Sequence, residues 1–173
     1  MLKITVTVAL AVLVAAILPQ AALAADKNVV YLGTIAPFSD SSVVSMAIIN
    51  ECNLPARQSE FIEQAALDDG TLRVVRDDAA VKAGKGRILF VEIVNAISGG
   101  SAWVGHRKQV AIKGRLVENG VVIGTFSGIR QSGGGAWGEY KSSCAVLGRC
   151  IKTLGNDVVR WLKNPQMNSR IGE

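Results

Sequence analysis

The chain has 173 residues, a formal net charge of +5 and a hydrophobic content of 49%. The part of the chain that follows its long apolar N-terminal run is long enough for one domain with a hydrophobic core and too short for two. The bases are spread along the chain rather than clustered in one tract, which argues against nucleic acid as a partner.

The N-terminus has the pattern of a secretory signal. Lys3 precedes an apolar run from Ile4 to Leu18, and Ala22 and Ala24 form a small-x-small cleavage site. The alternative is an uncleaved membrane anchor, but the run is shorter than the ~20 residues that span a bilayer. We therefore predict cleavage of residues 1–24 and a soluble periplasmic protein with no stable membrane insertion after signal removal.

Charge differs between the two halves of the remaining chain. Residues 26–80 contain nine acids and four bases, whereas residues 81–173 contain fourteen bases and five acids. A basic half can attract anionic glycans, lipid headgroups or an acidic partner. In the alternative, the two halves neutralise each other when they fold together.

The first half predicts an arm, a strand, a helix and a short strand. Residues 25–42 form the arm, with one possible strand over 29–35, and the apolar stretch 43–50 predicts a buried strand. Asn53 is suited to cap a helix over 55–69, with Pro55 in its first turn and Gly70 at its end. A short strand over 72–76 and a polar link over 77–86 follow.

The second half predicts a three-stranded meander and a second helix. Residues 88–97 are rich in β-branched side chains, and residues 109–116 alternate as a half-buried strand does. Asn119-Gly120 indicates a tight hairpin before a strand over 121–130. An amphipathic helix over 140–163 ends at Asn164-Pro165, and the tail over 166–173 is expected to be mobile.

These elements predict an α+β fold. A single domain over 43–165 would consist of a mostly antiparallel sheet with two amphipathic helices packed on one face, in the order βαβββα.

Two stretches carry a resemblance. Residues 51–55 (Glu-Cys-Asn-Leu-Pro) and the pattern Gly148-Arg149-Cys150-x-x-x-Leu154-Gly155-x-Asp157, with its continuation to Pro165, resemble an uncharacterised family of small exported bacterial proteins. The element order is also similar to the βαβββα periplasmic domains of the curli secretion pore subunit and of a penicillin-binding-protein activator. Neither resemblance implies catalysis.

The sequence does not predict an enzyme. His106 is the only histidine, and the adjacent Arg107 and Lys108 disfavour its protonation and repel metals. No Gly-x-Ser-x-Gly motif presents a nucleophile. In the glycine-rich stretch 133–138, two residues separate the last glycine from Lys141, which a phosphate-binding loop does not allow. We therefore predict no catalytic residues, no cofactor and no metal.

A near-repeat suggests a binding surface. The pattern Ser-Gly-Gly-x-Ala-Trp occurs at 98–103 and at 132–137, each time after a strand of the meander. Because these two strands flank a third, both repeats should lie at the same end of the sheet, where the second helix also begins. In the alternative, the tryptophans pack beneath tight turns. The predicted binding patch comprises Trp103, His106, Arg107, Lys108, Trp137, Tyr140 and Lys141.

Three cysteines predict one disulfide. Cys144 and Cys150 would be about 9 Å apart along a helix, beyond the ~7 Å that a disulfide tolerates between Cα atoms. Cys52 should then pair with Cys144, or alternatively with Cys150. A local Cys144–Cys150 bond would require the second helix to begin after Cys144.

Together these features predict a non-catalytic periplasmic binding or scaffold domain. Its partner would be a protein or an anionic envelope component. One alternative is a subunit of an envelope assembly that pairs through a sheet edge, and the other is an unrecognised hydrolase.

Overall fold

The computed structural model describes residues 28–99, 107–132 and 142–172, so the predicted signal over 1–24 lies outside the described residues. A short 3-10 helix at Ser41–Val43 is left without a label. The elements in chain order are β1 (Val29–Leu32), α1 (Met46–Cys52), α2 (Leu54–Asp69), β2 (Arg73–Arg76), α3 (Asp78–Ala83), β3 (Arg87–Gly99), β4 (Arg107–Glu118), β5 (Val121–Ser132), α4 (Ser143–Leu162) and β6 (Ser169–Ile171).

The sheet has six strands in the order β2-β1-β3-β4-β5-β6. Its two longest pairings, β3 with β4 and β4 with β5, are antiparallel, and the turn between β4 and β5 uses Asn119 and Gly120 with positive φ, as predicted. The three short pairings, β1 with β2, β1 with β3 and β5 with β6, are parallel. The predicted α+β class is confirmed.

Helices α2 and α4 lie against each other and cover one face of the sheet. The backbone of α2 at Phe61 comes so close to Gly155 of α4 that a Cβ at 155 would lie 2.8 Å from the Phe61 carbonyl oxygen. Between the helices and the sheet, buried aliphatic side chains form the core, which includes Ile62, Ile112 and Leu154. Burial of these groups is the main stabilising contribution to the fold.

The first predicted strand of the domain is wrong. Residues 43–50 contain most of α1, whose N-terminus is capped by Ser45, because its hydroxyl accepts a hydrogen bond from the Ile48 N–H at 3.4 Å. Ile48 and Cys52, one turn apart, are buried against the core. The side chain of Asn53 makes no capping bond; its backbone instead adopts the left-handed conformation between α1 and α2.

Two segments that were placed outside the domain contribute strands to the sheet. The predicted arm contains β1, which pairs with β2 on one side and β3 on the other. The tail was wrongly expected to be mobile, because it contains β6, which pairs with β5 through Ser169 and Ile171. The polar link over 77–86 likewise contains α3, which Asp77 caps by accepting from two backbone N–H groups.

The preferred disulfide is confirmed. Cys52 at the end of α1 is bonded to Cys144 in the first turn of α4, with their Cα atoms 4.9 Å apart. Cys150 is free and buried, and desolvation by burial raises the pKa of its thiol, partly offset by the nearby charge of Arg149. A buried thiol that resists ionisation is a poor nucleophile.

Candidate functional site

Most of the predicted binding patch lies outside the described residues. For Arg107, the structure describes only the backbone, as the first residue of β4. Lys108 is described in full and is only 8% exposed, so little of its side chain is open to a ligand. The residues outside the described ranges are Trp103, His106, Trp137, Tyr140 and Lys141.

Lys108 is buried because it joins three elements. Its Nζ donates to the Ser98 Oγ of β3 at 2.6 Å and to the Ser143 Oγ of α4 at 3.1 Å. The Ser98 hydroxyl donates to the Ser143 hydroxyl at 2.8 Å. The ends of β3 and β5 and the start of α4 therefore lie at one end of the molecule, as predicted, and there the buried Lys108 of β4 links β3 and α4.

The face of the sheet opposite α2 and α4 carries a groove. A cavity of about 590 Å³ lies over β3, β4, β5 and β6 on this face. We call it the sheet-face groove and define it by six of its lining residues: Phe90, Glu92, Lys113, Arg115, Ser127 and Arg170.

Strand alternation and register bring these side chains together. Lys113 and Arg115 are two apart on β4 and therefore share one face. Lys113 pairs with Glu92 of β3 on one side and with Ser127 of β5 on the other. Ser127 pairs in turn with Arg170 of β6, so a transverse row crosses all four strands.

The groove has an excess of positive charge. The Lys113 Nζ lies 3.1 Å from the Glu92 Oε2, and both side chains are more than one-third exposed. The Arg115 guanidinium lies over the Phe90 ring, 4.5 Å from its centroid, which leaves its charge available to a ligand. Together with Arg170, the described lining contains three cations and one carboxylate, so the electrostatic potential of this surface favours an anion.

An apolar cavity continues the groove. It measures about 400 Å³, shares Lys113, Ser127 and Arg170 with the groove, and extends over Val94 and Ile129. Each of these two aliphatic side chains is 36% exposed. We call this part the aliphatic extension, and its lining residues include Val94, Ala111, Ile129 and Ile171.

Part of this site could be predicted from the sequence. The alternation over 109–116 places Lys113 and Arg115 on one face of a strand, apart from the buried Ile112 and Leu116. The contribution of Arg170 was missed because β6 was expected to be a mobile tail.

The described ranges offer no arrangement typical of metal chemistry. Within them no three side chains of the His, Cys, Asp and Glu types gather as ligands. Nor does any helix there have the length and apolar character needed to cross a bilayer.

Comparison with known proteins shows a shared fold. No family model and no curated protein matches the chain. Protein XCC0632 from Xanthomonas campestris, assigned to the family DUF330, is 12% identical with a TM-score of 0.51, over 78% of this chain and 82% of that one. At this identity the likeness concerns the fold alone.

Two other solved structures are similar at lower scores. The PelC dodecamer from Paraburkholderia phytofirmans is 12% identical with a TM-score of 0.48, over 75% of this chain and 86% of that one. A minor lipoprotein from Acinetobacter baumannii is 10% identical with a TM-score of 0.46, over 79% and 92% of the two chains. The resemblance to the curli pore subunit and the penicillin-binding-protein activator stays a prediction from element order.

Proposed function

We propose that the protein is an exported, non-catalytic binding domain of the periplasm, and that its sheet-face groove binds an anionic partner in the cell envelope. The signal-like N-terminus supports the compartment. The observation that carries the proposal is the gathering of Lys113, Arg115 and Arg170 around one cavity whose described lining includes a single carboxylate, Glu92.

The position of the groove supports binding rather than catalysis. Among the described residues that line it there is no histidine or cysteine, and the one carboxylate among them, Glu92, is paired with Lys113. Acid–base catalysis needs a group that can exchange a proton near neutral pH at the reacting atoms. Cations that attract an anion, beside a cavity lined in part by aliphatic side chains, are instead typical of a recognition surface.

A pair of matched variants tests the proposal. In Lys113→Gln/Arg115→Gln the groove loses two charges without placing a new acid beside Glu92. The control, Lys82→Gln/Lys152→Gln, removes the same charge from exposed lysines on α3 and α4, outside the groove. Purified protein is incubated with isolated envelope fractions of the native cell, and the bound fraction is measured against protein concentration.

The groove variant should bind the envelope fraction with an affinity about tenfold or more below that of wild type. Charged contacts across an interface contribute a factor of this size or larger to the affinity. The control should bind like wild type at matched ionic strength. Equal loss in both variants would show that only net charge matters, and no loss in the groove variant would refute this site.

A further inference from the structure

We infer that the occupant of the sheet-face groove is an acidic protein segment whose aliphatic side chains enter the aliphatic extension. This inference rests on the function proposed above and specifies the chemical class of the partner.

Charge complementarity is the first support. The basic part of the groove, with Lys113, Arg115 and Arg170, favours acidic groups on a ligand. Two copies of the chain that joined their sheet faces would bring six cations of the described lining together with only two carboxylates. Like charges placed opposite one another are destabilising.

The aliphatic extension is the second support, and it argues against a glycan. Val94, Ala111 and Ile129 offer apolar side-chain surface and no side-chain hydrogen-bonding groups. A sugar buried there would leave hydroxyl groups unpaired, which costs free energy. The Phe90 ring, an aromatic group of the groove, is already covered by the Arg115 guanidinium. Leucine, isoleucine or valine side chains of a protein bury apolar surface in the same place with no such cost.

The shape of the surface argues against a lipid bilayer. Val94 and Ile129 line a cavity that they share with the charged Lys113 and Arg170. Proteins that lie on membranes instead bury a continuous apolar face in the lipid and keep their charged groups on the other face.

The dimensions of the site indicate the length of the segment that it can hold. From Ala111 to Arg115, β4 extends about 14 Å. About four residues of an extended segment cover this length.

Selection from a random peptide library tests this inference. The purified protein is the target, and peptides that also bind Lys113→Gln/Arg115→Gln are removed. We expect the enriched peptides to combine Asp or Glu with aliphatic residues. A synthetic copy of an enriched peptide should bind about tenfold or more weakly to the groove variant, more weakly to Ile129→Thr, and normally to Lys82→Gln/Lys152→Gln.

Polygalacturonate and phosphatidylglycerol vesicles are assayed in parallel, and each variant is first shown to be folded by circular dichroism and urea unfolding. Binding of either probe that depends on Lys113 and Arg115, without acidic peptides in the selection, would overturn the inference and leave the proposed function standing. Enriched peptides that lack acids, or that bind Ile129→Thr like wild type, would also overturn it. If envelope binding is itself insensitive to Lys113 and Arg115, the proposed function fails.

Discussion

Gly114 on β4 and Phe126 on β5 occupy paired positions, and the Phe126 ring fills the space that a side chain at 114 would need. A Cβ at 114 would lie 2.5 Å from the Phe126 Cζ and 2.6 Å from the Phe90 carbonyl oxygen. The ring in turn packs edge-on against Trp161 of α4, with centroids 4.8 Å apart. The missing side chain thus allows the aromatic contact between sheet and helix.

Gly114→Ala should lower the free energy of unfolding by about 1–3 kcal/mol, because the added methyl group displaces a buried ring or the strand backbone. Urea unfolding measures the change. Gly99→Ala is the control, since the nearest of the neighbouring atoms to its Cβ is the Ile97 Cγ2 at 3.9 Å. Similar losses in both variants would mean that strand glycines matter here for a reason other than the Phe126 ring.

Asp157→Asn should lower the free energy of unfolding by about 2 kcal/mol. The Asp157 carboxylate is 2% exposed and accepts two hydrogen bonds from Arg130, both at 2.9 Å, and bonds to charged groups contribute more than neutral ones. The pairing with Asp157 also raises the pKa of Arg130. Without this partner the guanidinium still stays charged, because an arginine side chain does not lose its proton at ordinary pH. Glu92→Gln, which breaks an exposed ion pair, should cost at most about 1 kcal/mol in the same assay.

A thiol reductant should lower the free energy of unfolding of the wild type by about 4 kcal/mol, because the Cys52–Cys144 bond closes a loop with a sequence separation of 92. Cys150→Ala should respond equally, since Cys150 is not part of the bond. Cys52→Ala/Cys144→Ala should not respond. A response in this double variant, measured by urea unfolding with and without reductant, would contradict the pairing.

Thr34→Val should raise the pKa of Asp78. The Thr34 hydroxyl and backbone N–H donate to this carboxylate at 2.6 and 2.9 Å, and these bonds hold the pKa of Asp78 below its ordinary value. Stability linked to Asp78 is therefore complete above the unfolded-state pKa, about 3.9, and is lost as pH falls through the lower folded pKa.

Carboxyl NMR titration should find the Asp78 midpoint shifted upward in Thr34→Val, and the urea midpoints of variant and wild type should converge as the pH falls. Thr153→Val is the matched control, because Thr153 donates to a backbone carbonyl and not to a carboxylate. An unchanged Asp78 midpoint in Thr34→Val would show that the hydroxyl does not influence this carboxylate.

The long elements were predictable from the sequence because local patterns determine them. The meander follows from alternation and from the Asn119-Gly120 turn, and α2 and α4 follow from helical periodicity. Residues 43–50 were wrongly predicted to be a strand because they contain pairs of β-branched residues, which favour strands. The Ser45 cap and the packing of α1 against α4 stabilise a helix there instead.

Short strands depend on tertiary contacts, and the candidate site depends on them too. Strand β6 has three residues, which carry little periodic signal, and it forms because β5 offers a free edge. The sequence pattern predicts that Lys113 and Arg115 share one face of a strand. It does not predict that Arg170 lies beside them, because that position depends on the pairing of β6 with β5. The disulfide was predicted correctly although the segment before Cys52 was expected to be a strand, whereas Cys52 is the last residue of α1.

The disulfide joins the first and second of the three cysteines in chain order. In a chain that reaches an oxidising compartment N-terminus first, Cys52 arrives with no earlier thiol to pair with, and Cys144 arrives before Cys150. Oxidation in order of arrival therefore yields the native bond directly. Cys150 is buried in the folded chain, where it is shielded from thiol–disulfide exchange with the Cys52–Cys144 bond.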